Sequence, residues 1–151
     1  MALSPAYAFS HLGICVSDLD RSLRFYCDGL GFEKAESFPI DSTFADALEE
    51  PGEVVLTSQF IRREGVAIEL LHFRSPGPVG EPSQRRNQLG ITHLSFLVDD
   101  VDATAAALVA AGGAVLQATR TTGDALDLLF LRDPDGVRIE LMASGTNGGQ
   151  G

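Results

Sequence analysis

An internal repeat constrains this chain more than any other feature. HLGICVSDLD, starting at His11, returns as HLSFLVDDVD, starting at His93, and VAIELL, with Glu69, returns as VRIELM, with Glu140. Each half opens on a histidine in a strand-like run and closes on a glutamate in another. The stretch from His93 to Glu140 is shorter than that from His11 to Glu69, so the first half carries extra loop. PIDSTFADALEEPGE, residues 39–53, is the best place for it, being rich in turn formers and acids.

Each half reads in the order strand, helix and three strands. FSHLGICV alternates as a strand. Asp18 or Asp20 can cap a helix whose Leu19, Leu23, Tyr26 and Leu30 recur at helical spacing, with Gly29 and Gly31 to end it. GFEKAESF, VVLTSQFI and GVAIELLHF complete the first half. In the second, ITHLSFLV precedes a helix over about 100–111, stopped at Gly112–Gly113. AVLQAT, LDLLFLR, a DPDG turn and VRIELMA follow. The expectation is a βαβββ module over 8–73, a linker over 74–90, a second βαβββ module over 91–143 and a disordered tail over 144–151. The fold class is α+β.

Strand parity turns the repeat into a chemical statement. Side chains alternate between the faces of a strand. Beside His11 stand small Gly13 and Cys15, while Leu12, Ile14 and Val16 form the apolar face; beside His93 stands Ser95, against Leu94, Phe96 and Val98. Glu69 is flanked by Ile68 and Leu70, and Glu140 by Ile139 and Leu141. All four polar residues therefore oppose the face that packs under a helix. A carboxylate enclosed in a sheet's concavity needs a partner, because burying it unpaired costs several kcal/mol. His11, Glu69, His93 and Glu140 are accordingly expected to converge on one divalent metal ion. Nitrogen and oxygen donors without thiolate suit Zn, Ni, Co, Fe or Mn, and two imidazoles disfavour Ca. His72 has the opposite parity to Glu69 and reads as structural. Cys15 reads as a small apolar filler near His11, and Asp18, Asp20, Asp100 and Asp102 as helix-capping residues.

Composition narrows the function classes. Eleven Lys and Arg against 21 Asp and Glu leave a formal charge of −10, which argues against nucleic acid, whose phosphates are bound chiefly by basic side chains. Arg62–Arg63 and Arg85–Arg86 are local exceptions, read either as solvated loop charges or as a grip on an anionic substrate tail. No apolar run approaches the length of a membrane span. The first residues do not resemble a secretory signal, and the two cysteines form no CxxC pair. A cytoplasmic protein with a small-molecule substrate is expected.

HLGICVSDLDRSLRFYCDGLGFE, IELLHF, GITHLSFLVDDVDA and DPDGVRIELM resemble the vicinal oxygen chelate superfamily, which holds glyoxalase I, extradiol dioxygenases, fosfomycin-resistance enzymes and bleomycin-binding proteins. The resemblance spans Phe9 to Ala143 and implies that the two modules curl eight strands into a cup around a metal, with helices on the convex side. It assigns His11 and Glu69 to the ligand positions of module one, and His93 and Glu140 to those of module two. A complete His/Glu/His/Glu set is closest to glyoxalase I and implies a metal-dependent lyase or isomerase. Such an enzyme abstracts a proton next to a carbonyl, with a metal-stabilised enediolate and Glu140 or Glu69 as the catalytic base. An Fe(II) or Mn(II) ring-cleaving dioxygenase, using His11, His93 and Glu140, and a drug-binding resistance protein without catalysis are the alternatives. Relatives build the cup within one chain or by exchanging modules between two, so a homodimer is expected.

Overall fold

A computed structural model describes residues 7–124 and 126–143 of the 151-residue chain. Two mixed sheets, of four and five strands, carry the fold. The chain divides into two compact units. Unit 1 comprises Met1–Leu19 and Phe32–Pro78; unit 2 comprises Asp20–Gly31 and Val79–Gly151. The expected tail over 144–151 lies outside the described residues.

Unit 1 holds β1 (Leu12–Cys15), β2 (Glu33–Asp41), β3 (Val55–Arg63) and β4 (Val66–Ser75), in spatial order β1-β4-β3-β2. β1 runs parallel to β4, pairing Gly13 with Glu69, and the remaining pairs are antiparallel. The register of β2 against β3 shifts between Lys34 and Ser37. Such a bulge leaves backbone carbonyls outside the ladder. Gln59 meets them by donating through Nε2 to Ala35 O and Glu36 O at 3.2 and 3.3 Å, which explains a buried amide in this strand. Ile14, Leu56, Ile61, Ile68 and Leu70 are the large buried apolar residues of the sheet. The extra loop of the first half starts after Asp41, whose carboxylate accepts from Thr43 N at 2.9 Å and opens a 3-10 turn over Ser42–Phe44.

Unit 2 holds a sheet in the order β5-β9-β8-β6, with β7 also pairing to β8. Its strands are β5 (Leu94–Val98), β6 (Ala114–Val115), β7 (Thr121–Thr122), β8 (Asp127–Arg132) and β9 (Arg138–Ala143). The single strand expected at AVLQAT covers only Ala114–Val115; a 3-10 turn at Gln117–Thr119 separates it from a second short strand at Thr121–Thr122, giving nine strands among the described residues in place of eight. Thr119 is the cause: its hydroxyl donates to Leu116 O at 2.7 Å and accepts from Phe130 N at 2.9 Å, taking a β8 amide that a continuous strand would have used.

Helix α2 (Val101–Ala110) is capped by Asp100, whose carboxylate accepts from Ala103 N at 2.9 Å. Asp102 has another role, pairing with Arg120 at 3.1 Å. At the far end Gly113 N donates to Leu108 O, with Gly112 at φ +104, a left-handed stop that a side chain would strain. Helix α1 (Leu19–Leu23) passes into a wider π-turn over Arg24–Gly29, where Leu30 N donates to Phe25 O. Gly29 lies inside this turn and does more than end it. A Cβ there would meet Leu108 Cδ2 at 2.9 Å and Ala111 Cβ at 3.1 Å, so its absence lets the two helical segments touch. The DPDG turn fastens the same segment: Tyr26 donates to Asp133 Oδ2 at 2.8 Å, and Arg21 to Asp135 Oδ1 at 2.8 Å.

Candidate metal-ligand pairs

Each unit brings one histidine against one glutamate. In unit 1, His11 Nε2 stands 3.1 Å from Glu69 Oε2, with the side chains 34% and 17% exposed. In unit 2, His93 Nε2 stands 3.4 Å from Glu140 Oε2, at 28% and 13%. The glutamates lie on β4 and β9; each histidine stands immediately before its strand, at the mouth of β1 or β5. Parity holds through that extra residue, since Gly13 is the parallel partner of Glu69 and Ser95 that of Glu140. Gly13 keeps room there: a Cβ in its place would lie 4.0 Å from Glu69 Oε2.

The imidazoles are held in matching ways. The residue before each histidine is a hydroxyl residue, and Ser10 Oγ is 2.8 Å from His11 Nδ1 while Thr92 Oγ1 is 2.6 Å from His93 Nδ1. A ring that donates from Nδ1 to the hydroxyl keeps its lone pair on Nε2, the nitrogen that faces the carboxylate. Each ring also meets a phenylalanine edge to face, His11 on Phe60 at 5.0 Å and His93 on Phe130 at 5.5 Å. The dipeptides Ser10–His11 and Thr92–His93 repeat in the sequence, a signal for ring orientation that strand parity alone overlooks.

Two donors bound to one first-row metal at about 2.1 Å stand about 3.0–3.4 Å apart at right or tetrahedral angles. Both pairs have that separation, so the donor chemistry and spacing of each fit two ligands of one ion. Among the described residues no three His, Cys, Asp or Glu side chains form a metal-ready group. Each unit therefore offers two ligands.

The glutamates differ in what else they touch. Glu69 Oε1 accepts from Ser58 Oγ at 2.5 Å. The position equivalent to Ser58 in β8 is Leu128, two residues before Phe130 as Ser58 is two before Phe60, and it offers no hydrogen. His72 lies on β4 opposite Thr57 and apart from the His11–Glu69 pair, as its parity predicts. Cys15 is exposed, so it does not act as the buried filler that its small size suggested.

Beyond Glu140 on the same face of β9 lies Arg138, only 5% exposed. Burial, with the positive charges of Arg132 and Arg86, pulls its guanidinium below its ordinary pKa. Asp133 is shifted by burial as well, upward from 3.8 and against its hydrogen bonds from Tyr26, Asp135 N and Val137 N.

The model of the glyoxalase/bleomycin resistance protein/dioxygenase superfamily matches residues 8–141. An uncharacterised protein of Escherichia coli, YaeR, is 32% identical over 132 residues, covering 87% of this chain and 92% of its own length. A lactoylglutathione lyase of Schizosaccharomyces pombe is 26% identical over 144 residues; these are 91% of this chain but 47% of the yeast protein, so the chain spans about half of that relative. Among solved structures, a glyoxalase family protein from Bacillus cereus superposes with a TM-score of 0.80 at 20% identity, over 95% of this chain and 98% of the other.

Proposed function

The chain belongs to the glyoxalase/bleomycin resistance protein/dioxygenase superfamily, and from that premise we propose that it is a metal-dependent lyase or isomerase that moves a proton next to a substrate carbonyl. The observation that carries the reading is the twice-built pairing of a histidine Nε2 with a glutamate Oε2, at 3.1 and 3.4 Å, each ring tethered through Nδ1. We assign His11, Glu69, His93 and Glu140 as the ligand set of one divalent ion, Zn, Ni, Co, Fe or Mn, whether the two pairs come from one chain or from two copies in a homodimer. When bound, the metal supplies Lewis-acid polarisation of a substrate carbonyl, which acidifies the neighbouring C–H.

The protein's own groups divide the remaining work. Glu69, anchored by Ser58, stays in place as a permanent ligand. Glu140 lacks an equivalent anchor and is the proton carrier: its carboxylate takes the proton from one carbon and returns it to the next. His11 and His93 keep their orientation through Ser10 and Thr92, holding the donor geometry while Glu140 moves. Phe60 and Phe130 each meet one of these rings edge to face and limit its rotation.

Metal analysis of the purified protein, followed by C–H exchange in D2O with hemithioacetals and acyl-CoA thioesters, tests the assignment. The reading requires one ion per four-residue set and solvent deuterium in recovered substrate or product. O2 uptake with catechols would point to ring cleavage, and tight ligand binding without exchange to sequestration; either would replace the isomerase reading.

A further inference from the structure

The face of unit 2 that carries His93 and Glu140 also carries three guanidinium groups that pair with no carboxylate among the described residues. Phe130 pairs with Glu140 and Arg132 with Arg138 across the antiparallel β8–β9 ladder, so all four side chains share one face. Two arginines set directly opposite each other repel. Arg138 is also almost fully buried, and it donates to the Ser83 hydroxyl at 3.1 Å. Arg132 donates to Gly136 O at 2.8 Å, and exposed Arg86 stacks on the Phe130 ring at 3.9 Å. None of the three is in an ion pair among the described residues, in a chain with 21 acidic residues to draw on. Glu140, the acid next to Arg138 on this face, is turned to His93. Two guanidinium groups held this close cost stability, which a counter-ion from outside would offset.

We propose that Arg86, Arg132 and Arg138 form an anion subsite beside the His93–Glu140 pair, which takes the phosphate or carboxylate end of the substrate. Arg138 supplies positive potential from beneath. Arg132 and Arg86, more open to solvent, supply the N–H donors, since a stacked or singly bonded guanidinium keeps most of its five hydrogens. Phe130 joins the two parts of the site, with the His93 ring and the Arg86 plane both resting on it. The subsite deepens the proposed function by making the substrate an acid whose charged end is held away from the reacting carbon.

The anion grip is testable without metal, which separates its failure from failure of the isomerase reading. Full-length, chelator-treated protein is titrated with inorganic phosphate and, separately, with succinate. Arginine Nε–Hε resonances and melting temperature are followed. Saturable shifts at Arg86 and Arg132 are expected, and Arg86→Ala and Arg138→Met should each weaken binding about tenfold or more. Arg138→Met should also raise the melting temperature of the anion-free protein by at least about 2 °C, because an apolar chain of similar length removes uncompensated charge. Tighter phosphate binding marks a phosphoryl tail, and tighter succinate binding a carboxylate tail. No saturation with either anion overturns the proposal. Unchanged affinity in both variants, or a lowered melting temperature in Arg138→Met with binding intact, does so as well. A protein that binds phosphate in this way but no divalent ion would retain the subsite and lose the isomerase reading.

Discussion

The two halves use one backbone plan and furnish it differently. In both, a hydroxyl residue orients a histidine toward a glutamate two registers along, and a phenylalanine opposite the glutamate supports the ring. Around that shared centre the surroundings diverge. Unit 1 gives Glu69 a hydrogen from Ser58, sets Arg62 against Ala67 across the ladder, and neutralises Arg62 with Glu36 at 3.0 Å. Unit 2 sets Leu128 in Ser58's place, which offers Glu140 no hydrogen, and sets Arg132 against Arg138, which is in no ion pair among the described residues. Duplication supplies two equivalent histidine–glutamate pairs, and the neighbours decide which carboxylate receives a further hydrogen bond.

The strongest way to break this asymmetry is Glu140→Gln, which should keep the fold and lower metal-dependent turnover by about 10²–10⁴-fold. Undiminished turnover would remove Glu140 from the proton transfer. Ser58→Ala comes next: the loss of a hydrogen bond that positions Glu69 should weaken metal affinity about 10–100-fold in a metal titration, with a smaller effect on turnover at saturating metal. An equal loss of turnover and affinity would mean that the two glutamates share the proton work.

Smaller effects are expected from the parts that support unit 2. Gly113→Ala would bring a Cβ within 2.8 Å of Phe25 Cε2 and 3.0 Å of Leu108 O, so it should cost about 1–3 kcal/mol in chemical denaturation. Tyr26→Phe, the mildest, strips Asp133 Oδ2 of its donor and should cost about 1–2 kcal/mol.

The same contact carries a pH signature. Burial raises the Asp133 pKa above 3.8, so the folded chain binds this proton more tightly than the unfolded one. That contribution to stability is whole below the ordinary carboxylate value and disappears as pH rises through the raised one. Melting temperatures of Asp133→Asn and the parent, compared upward from pH 3.8, should show this slope in the parent alone.

Much of the fold was legible in the residues because periodicity is local. The alternation around His11, Glu69, His93 and Glu140 put each on the open face, and the structure pairs each histidine with its own module's glutamate. Asp100 and Gly112 announced their cap and stop by type alone. Other features depended on partners distant in the chain. AVLQAT reads as one strand until Thr119 captures the amide of Phe130. Gly29 reads as a helix stop, whereas its bare Cα serves contact with Leu108. Arg85–Arg86 reads as loop charge or as an anion grip, and nothing in that pair announces that Arg86 lies on Phe130.

By itself the sequence determined the repeated order of strand, helix and further strands and the two histidine–glutamate pairs on one face of each sheet, because two-residue and helical periods and the cost of enclosing a lone carboxylate act over short stretches. Tertiary structure alone decided that Ser58 holds Glu69 while Leu128 takes the equivalent place by Glu140, and that Arg132 faces Arg138 across the ladder. Those outcomes rest on cross-strand register, which joins residues whose neighbours in the chain say nothing of one another.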